Sequence, residues 1–231
     1  MLIIGHRGAS GLAPENSLEA FEAGQKADAD ILEFDVRLTK DKIPVVIHDR
    51  HVNHADTSKT VISRTTLAGL KAKGHNPEII TLETLLDQFF GKIMLNIELK
   101  SFGSGRVVMD LLAERYIQQP DDWDAVIISS FSWNELIAAR RMSKRANLGL
   151  LQSTNPFAFL VLHRQLELTA IGFHRLHVNR FALAIAKRAR IFTFAYTVNR
   201  ADTAEKLAER GLDGIVTDYP DRIAKLFSDI E

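Results

Sequence analysis

Two short segments of the chain set carboxylates at spacings useful for a metal or an acid–base centre. In Glu33-Phe34-Asp35 the acids stand two residues apart on a strand pattern, so both leave one face while Phe34 and Val36 leave the other. Asn96-Ile97-Glu98-Leu99-Lys100 repeats the alternation, with Asn96, Glu98 and Lys100 on one face. Three converging carboxylates would repel one another and shift their pKa values unless a cation lay between them. An all-oxygen donor set suits a hard divalent ion, Mg²⁺ or Ca²⁺. Two imidazoles follow apolar runs directly, His6 after the first and His48 after the third. Imidazole titrates near neutrality and can both give and take a proton. Arg7 adds a planar cationic fork suited to phosphate, and Gly8 and Gly11 allow a turn that bulky residues would resist. A lone Glu-x-Asp is an ordinary exposed pair about as often as a site; the two histidines weaken that plainer reading.

The elements that must position these groups can be read from periodicity. Strand candidates are Leu2–Gly5, Ile31–Val36, Pro44–Ile47, Ile93–Leu99, Ala125–Ser129, Asn147–Leu151, Ala170–Phe173, Ile191–Tyr196 and Gly214–Thr217. Helical spacing fills most of the gaps: Ser17–Lys26, Leu82–Phe90, Arg106–Ile117, Trp133–Met142, Phe181–Ala189 and Ala201–Glu209. Asn16 is the expected N-cap of the first helix, with Glu19 three residues on. Such alternation gives an open doubly wound sheet or a closed barrel. Eight or nine strands in 231 residues favour closure, an irregular (β/α)8 TIM barrel with its chemistry at the C-terminal strand ends.

One connection breaks the pattern. Arg37–Pro44 is too short for a parallel crossover, so Thr39-Lys40-Asp41-Lys42 is expected to be a hairpin turn. The third strand then runs antiparallel to the second, with His48 roughly across from Glu33. Residues 51–80 are polar, carry only a weak helix near Thr66–Lys73, and are expected to form a small lid on a single domain spanning 1–231.

Bulk properties narrow the function. Lys plus Arg equals Asp plus Glu at 29 each, so no net field draws the chain to nucleic acid or an anionic membrane. The absence of cysteine removes disulfides, thiolate metal sites and thiol nucleophiles, and fits a cytoplasmic location. The apolar run Phe157–Leu162 is far short of a span, and the N-terminus lacks a signal-peptide pattern, so a soluble protein without stable membrane insertion is expected. No G-x-G-x-x-G follows any strand, which argues against a dinucleotide site. Nothing in the sequence specifies an oligomeric state.

His6-Arg7-Gly8, Pro14-Glu15-Asn16-Ser17, Glu33-Phe34-Asp35-Val36, Thr39-Lys40-Asp41, Val46-Ile47-His48-Asp49 and Asn96–Lys100 occur in that order, followed by Ser129-Ser130-Phe131, Tyr196-Thr197-Val198-Asn199 and Gly211–Pro220. The set resembles the successive motifs of the glycerophosphodiester phosphodiesterases over nearly the whole chain. The resemblance implies a divalent metal held by Glu33, Asp35 and Glu98, catalytic histidines at His6 and His48, and phosphate contacts from Arg7 and Lys100. Glu15 and Tyr196 are further substrate-side candidates; Glu15 would equally serve to tie the first loop together. It implies hydrolysis of a glycerophosphodiester to sn-glycerol 3-phosphate and an alcohol. Three positions depart from the family pattern: Ser17 replaces Thr, Lys42 stands at a turn position where glycine is common, and Tyr196 stands where Trp is frequent.

Other residues have plainer expectations. His51, His54 and His75 in the polar segment read as solvated, and His163 reads as a surface residue of a helix. His174 and His177 follow a strand, with a substrate contact about one chance in five. Phe157, Phe159, Leu160 and Leu162 read as helix core about three times more readily than as a lip for an acyl chain. The rival functions are a lysophospholipase D or sphingomyelinase D-like enzyme on the same scaffold, and a catalytically silent phosphodiester-binding barrel.

Overall fold

The computed structural model describes residues 1–53, 59–75 and 77–228. In chain order the strands are β1 (Leu2–Gly5), β2 (Ile31–Leu38), β3 (Pro44–Val46), β4 (His51–Asn53), β5 (Lys59–Val61), β6 (Met94–Leu99), β7 (Val126–Ser130), β8 (Asn147–Gln152), β9 (Ala170–His174), β10 (Phe192–Tyr196) and β11 (Gly214–Thr217). The α-helices are α1 (Leu18–Lys26), α2 (Leu67–Ala72), α3 (Leu82–Phe89), α4 (Ser104–Arg115), α5 (Trp133–Met142), α6 (Phe159–Leu166), α7 (Arg180–Arg188), α8 (Ala201–Glu209) and α9 (Pro220–Ser228).

Strands β1, β2 and β6 to β11 are parallel, and β1 pairs with both β11 and β2, which closes an eight-stranded barrel. β3 is the added antiparallel strand. It takes over the upper half of β2, pairing Val36 with Val46 and Leu38 with Pro44, while β1 meets β2 only at Ile31 and Leu32. The turn between them holds Lys42 at φ 63°, and the Thr39 hydroxyl accepts from the Ile43 amide at 3.0 Å. The register differs by one residue from the sequence expectation: Ile47 donates to the Asp35 carbonyl, so His48 falls opposite Phe34 and not Glu33.

Alternation along the strands sorts the side chains into two layers. Phe34, Val36, Ile97, Leu99 and Ile215 face the helices in the main core, where Phe21 packs edge-on to Phe34 with ring centroids 5.6 Å apart. Burying each such side chain stabilises the fold by about 1.5–3 kcal/mol. Ile4, Ile31, Ile127, Leu151, Phe194 and Val216 fill the lumen below the site. Phe157, Phe159 and Leu162 belong to the main core, as the plainer reading of α6 expects, and Leu160 is exposed.

Several elements depart from the sequence reading. The α1 N-cap is Ser17, whose hydroxyl accepts from the Ala20 amide at 3.2 Å; Asn16 is turned inward instead. β4 and β5 form a small hairpin, and Val52, Ile62, Leu70 and Ile79 of the 51–80 segment pack on Val45. His54 lies outside the described residues. His163 of α6 is half-buried, with Nδ1 enclosed. Among the described residues no helix is long and apolar enough to cross a membrane.

Candidate active site

The site lies where β1, β2 and β6 end. Parallel pairing sets Asp35 of β2 beside Glu98 of β6, and Glu33 beside Asn96. One oxygen from each of Glu33, Asp35 and Glu98 lies within 4.8 Å of the others, and all three side chains are buried. The cluster is held by cations. Lys100 Nζ is 3.1 Å from Asp35 Oδ1 and 2.7 Å from Glu98 Oε1, and Arg7 Nε is 3.4 Å from Asp35 Oδ2.

These environments pull the three acids apart. Burial, reinforced by Asp35, pushes the Glu33 carboxyl up to about 8. Burial and Asp35 also raise Glu98, against the pull of Lys100. Asp35 is buried too, but Lys100 and Arg7, then His48 and the Asn16 amide, hold it below the usual carboxylate range. A buried cluster with two reluctant carboxylates gains most from a divalent cation. Asn96 Oδ1 is buried with no hydrogen-bond partner and its residue lines the same pocket, so a further oxygen donor stands ready. The donor set fits a hard metal ion.

The loop after β1 is built around that cluster. Arg7 adopts φ 51°, donates its amide to Glu33 Oε2 at 3.0 Å, and sends its guanidinium to Glu15 at 2.6 Å. Glu15 thus ties the loop and orients Arg7, the second of its two expected uses. Gly8, at φ 88°, has the main chain of α1 so close that a Cβ would lie 2.6 Å from the Ala20 carbonyl carbon; no side chain fits. Asn16, at φ 57°, donates to Asp35 Oδ2 at 3.2 Å from the loop's far end. Asn tolerates this left-handed backbone better than most residues.

The histidines stand on either side of the acids. His6 lines the pocket, and its Nδ1 is 2.5 Å from Asp218 Oδ1. Asp218 also accepts from Ser10 at 2.7 Å and from Asn199 at 2.5 Å, bonds that hold its carboxyl well below the usual range despite burial. Burial alone would lower His6, but Asp218 and Glu33 outweigh it and raise the imidazole. His48 is half-buried, with Nδ1 2.8 Å from Asp49, and it lies near enough to Asp35 to help hold that acid down.

Tyr196 forms an aromatic wall with Phe131, the centroids 5.8 Å apart, and its hydroxyl is anchored on the Gln152 carbonyl at 2.8 Å. His174 meets Tyr196 edge-on, with ring centroids 6.1 Å apart, but does not line the pocket. Asp218, Asn199 and Ser10 are site residues that sequence reasoning did not assign. Asp218 had a signal: it continues the inward face of Val216 past the end of β11, in register with His6. The buried Glu135 of α5 accepts from the amides of Gly103 and Gly105 at 2.9 and 2.7 Å, pinning the loop that follows Lys100.

Comparison with known proteins finds relatives over nearly the whole chain. The model of the glycerophosphoryl diester phosphodiesterase family matches residues 6–222. A glycerophosphodiester phosphodiesterase of Caldanaerobacter subterraneus is 31% identical over 243 residues, covering 97% of each chain. An Oleispira antarctica phosphodiesterase, solved in complex with the product sn-glycerol-3-phosphate, is 28% identical with a TM-score of 0.84 and covers 99% of this chain and 97% of its own. A Thermotoga maritima glycerophosphodiester phosphodiesterase is 26% identical with a TM-score of 0.81, covering 98% of both. The chain therefore belongs to the glycerophosphoryl diester phosphodiesterase family, a family of phosphoric diester hydrolases.

Proposed function

We propose that this single-domain protein, with residues 51–80 as a small lid, hydrolyses glycerophosphodiesters to sn-glycerol 3-phosphate and an alcohol in the cytoplasm. The observation that carries the reading is the meeting of His6, held by Asp218, with the Glu33–Asp35–Glu98 cluster in one pocket. Glu33, Asp35 and Glu98 would hold Mg²⁺ or Ca²⁺, which when bound supplies positive charge to neutralise phosphate oxygens. Arg7 and Lys100 bring two more cations to the same oxygens and stabilise the charge that grows in the transition state.

His6 and His48 move the protons. One takes a proton from the attacking hydroxyl, of water or of the glycerol 2-position; the other gives one to the departing alcohol as its bond to phosphorus breaks. Asp218 holds His6 Nδ1, which leaves Nε2 for the exchange. Tyr196 and Phe131 wall the pocket on the substrate side, and Glu15 keeps Arg7 extended toward it.

The test is release of glycerol 3-phosphate from glycerophosphocholine and glycerophosphoethanolamine, with EDTA and with each metal restored, alongside His6→Ala and Glu98→Ala. Release that EDTA abolishes and both substitutions cripple supports the reading. No release from folded, metal-loaded protein overturns it.

A further inference from the structure

Beside the pocket lies a second, larger groove that the chemistry above does not use. Its volume is about 410 Å³, against about 40 Å³ for the inner pocket, and it is lined by Arg37, Lys42, Arg50, Lys100 and Phe102 together with small polar and aliphatic residues. Among the described residues no acidic side chain lines it. Among the described residues, no carboxylate lies within ion-pair distance of Arg37, Lys42 or Arg50. The carboxylates that act on Arg37 lie on the site side, Asp35 foremost, then Asp49, exposed and engaged with His48, and Glu98.

The groove is continuous with the site in sequence and in space. Arg37 follows Glu33 and Asp35 along one face of β2, and its Nε donates to the His48 carbonyl at 2.7 Å. Arg37 also donates to the Lys100 carbonyl at 3.4 Å, so it is fixed as part of the wall. Lys100 borders the groove while its Nζ reaches Asp35 and Glu98 on the inner side. A phosphate held by Lys100 and Arg7 therefore has the small pocket on one side and the groove on the other. The small pocket admits only the smaller part of a diester; the groove has the size of an ordinary ligand site, about 300–1,000 Å³.

We propose that the groove receives the departing alcohol of the diester and selects head groups that carry a further negative charge, such as a phosphorylated polyol, over cationic ones. The proposal rests on the phosphodiesterase reading above. A quaternary ammonium is held by several aromatic faces, and the groove offers one ring, Phe102, which is 89% exposed. Three cations without carboxylate partners attract an anion and repel an ammonium.

The experiment compares kcat/KM for sn-glycero-3-phosphoinositol 4-phosphate and sn-glycero-3-phosphocholine, with wild-type protein, Arg50→Gln and Arg50→Glu. The wild type should favour the anionic diester by about tenfold or more, through KM. Arg50→Gln should shrink that ratio, and Arg50→Glu should bring it to one or invert it as the choline diester improves. A wild-type ratio at or below one, or a ratio untouched by Arg50→Glu, overturns the proposal while leaving the phosphodiesterase reading intact. If neither diester is cleaved, the phosphodiesterase reading fails, and calorimetry with inositol 1,4-bisphosphate decides the groove separately. Binding that Arg50→Glu abolishes would keep the anion site; no binding to the wild type would remove it.

Discussion

His6 and Asp218, 212 residues apart in the chain, share a 2.5 Å hydrogen bond across the seam where the last strand closes on the first. The His6 amide reaches the Thr217 carbonyl at 2.9 Å beside it, so backbone pairing sets the distance and the carboxylate sets the ring. Replacing Asp218 by Asn keeps the shape and removes the charge. We expect kcat/KM to fall by about 10²–10⁴-fold, the range of one general acid–base group. The His6 limb of the pH–rate profile should move to lower pH, because a contact that raises the imidazole is gone. The stability lost should lie between the depressed Asp218 pKa and the raised His6 pKa. Asp218 contributes only above its own pKa, and His6 loses its contribution as pH rises through its own. Urea titrations across pH read this directly, and an unshifted limb would refute the pairing.

Metal binding should expel a proton. With Glu33 pushed up to about 8, the metal-free protein at neutral pH holds a proton there that a ligating carboxylate must give up. Affinity for Mg²⁺ or Ca²⁺ should therefore rise about tenfold per pH unit up to about pH 8 and then level. Calorimetry in buffers of different ionisation heat counts the proton without any substrate. Glu33→Gln should abolish the release.

Asn16 has two uses that substitutions can separate. Asn16→Ala removes the amide that donates to Asp35, costing about 1–3 kcal/mol, as for a buried acceptor left short of a donor. It also forces alanine to φ 57°, at about 1–2 kcal/mol. Asn16→Gly loses the first interaction but not the second, so its thermal midpoint should lie between alanine and wild type. Equal midpoints for the two variants would show that the left-handed backbone costs nothing here.

Lys42→Gly should stabilise the fold. Lys42 sits at φ 63° in the β2–β3 turn, which costs a residue with a Cβ about 1–2 kcal/mol, partly offset by the greater freedom of glycine when unfolded. A rise of about 0.5–1 kcal/mol in chemical denaturation is expected. Lys42 also lines the basic groove, so the same variant should lose part of the preference for anionic diesters.

The carboxylate pattern was legible because strand period alone puts Glu33 with Asp35 and Asn96 with Glu98 and Lys100. The short Arg37–Pro44 link announced the hairpin by its length. What stayed hidden depended on contacts remote in sequence or on backbone angles. Asn16 looks like a cap in sequence; only its left-handed φ turns it toward Asp35 and hands the cap to Ser17. The one-residue error at His48 came from centring the turn on Lys40–Asp41, when Lys42 in left-handed backbone completes it. α9 was overlooked although Pro220 opens it, a position where proline is at home. The β4–β5 hairpin is too short and too polar to leave a period.

The handover of β2 from β1 to β3 leaves that joint among the thinnest of the barrel wall. β1 and β2 share two register pairs, as β10 and β11 do, where β2 and β6 share six. Local opening follows the fewest bonds, so amide hydrogens along this joint should be among the first of the barrel strands to exchange with solvent, with those between β10 and β11. The groups that would grip metal and phosphate straddle the same joint: His6 and Arg7 follow β1, and Glu33 and Asp35 lie on β2. A ligand bound between them fastens the wall as a rivet fastens a lapped plate, so filling the site and keeping the barrel shut become one act.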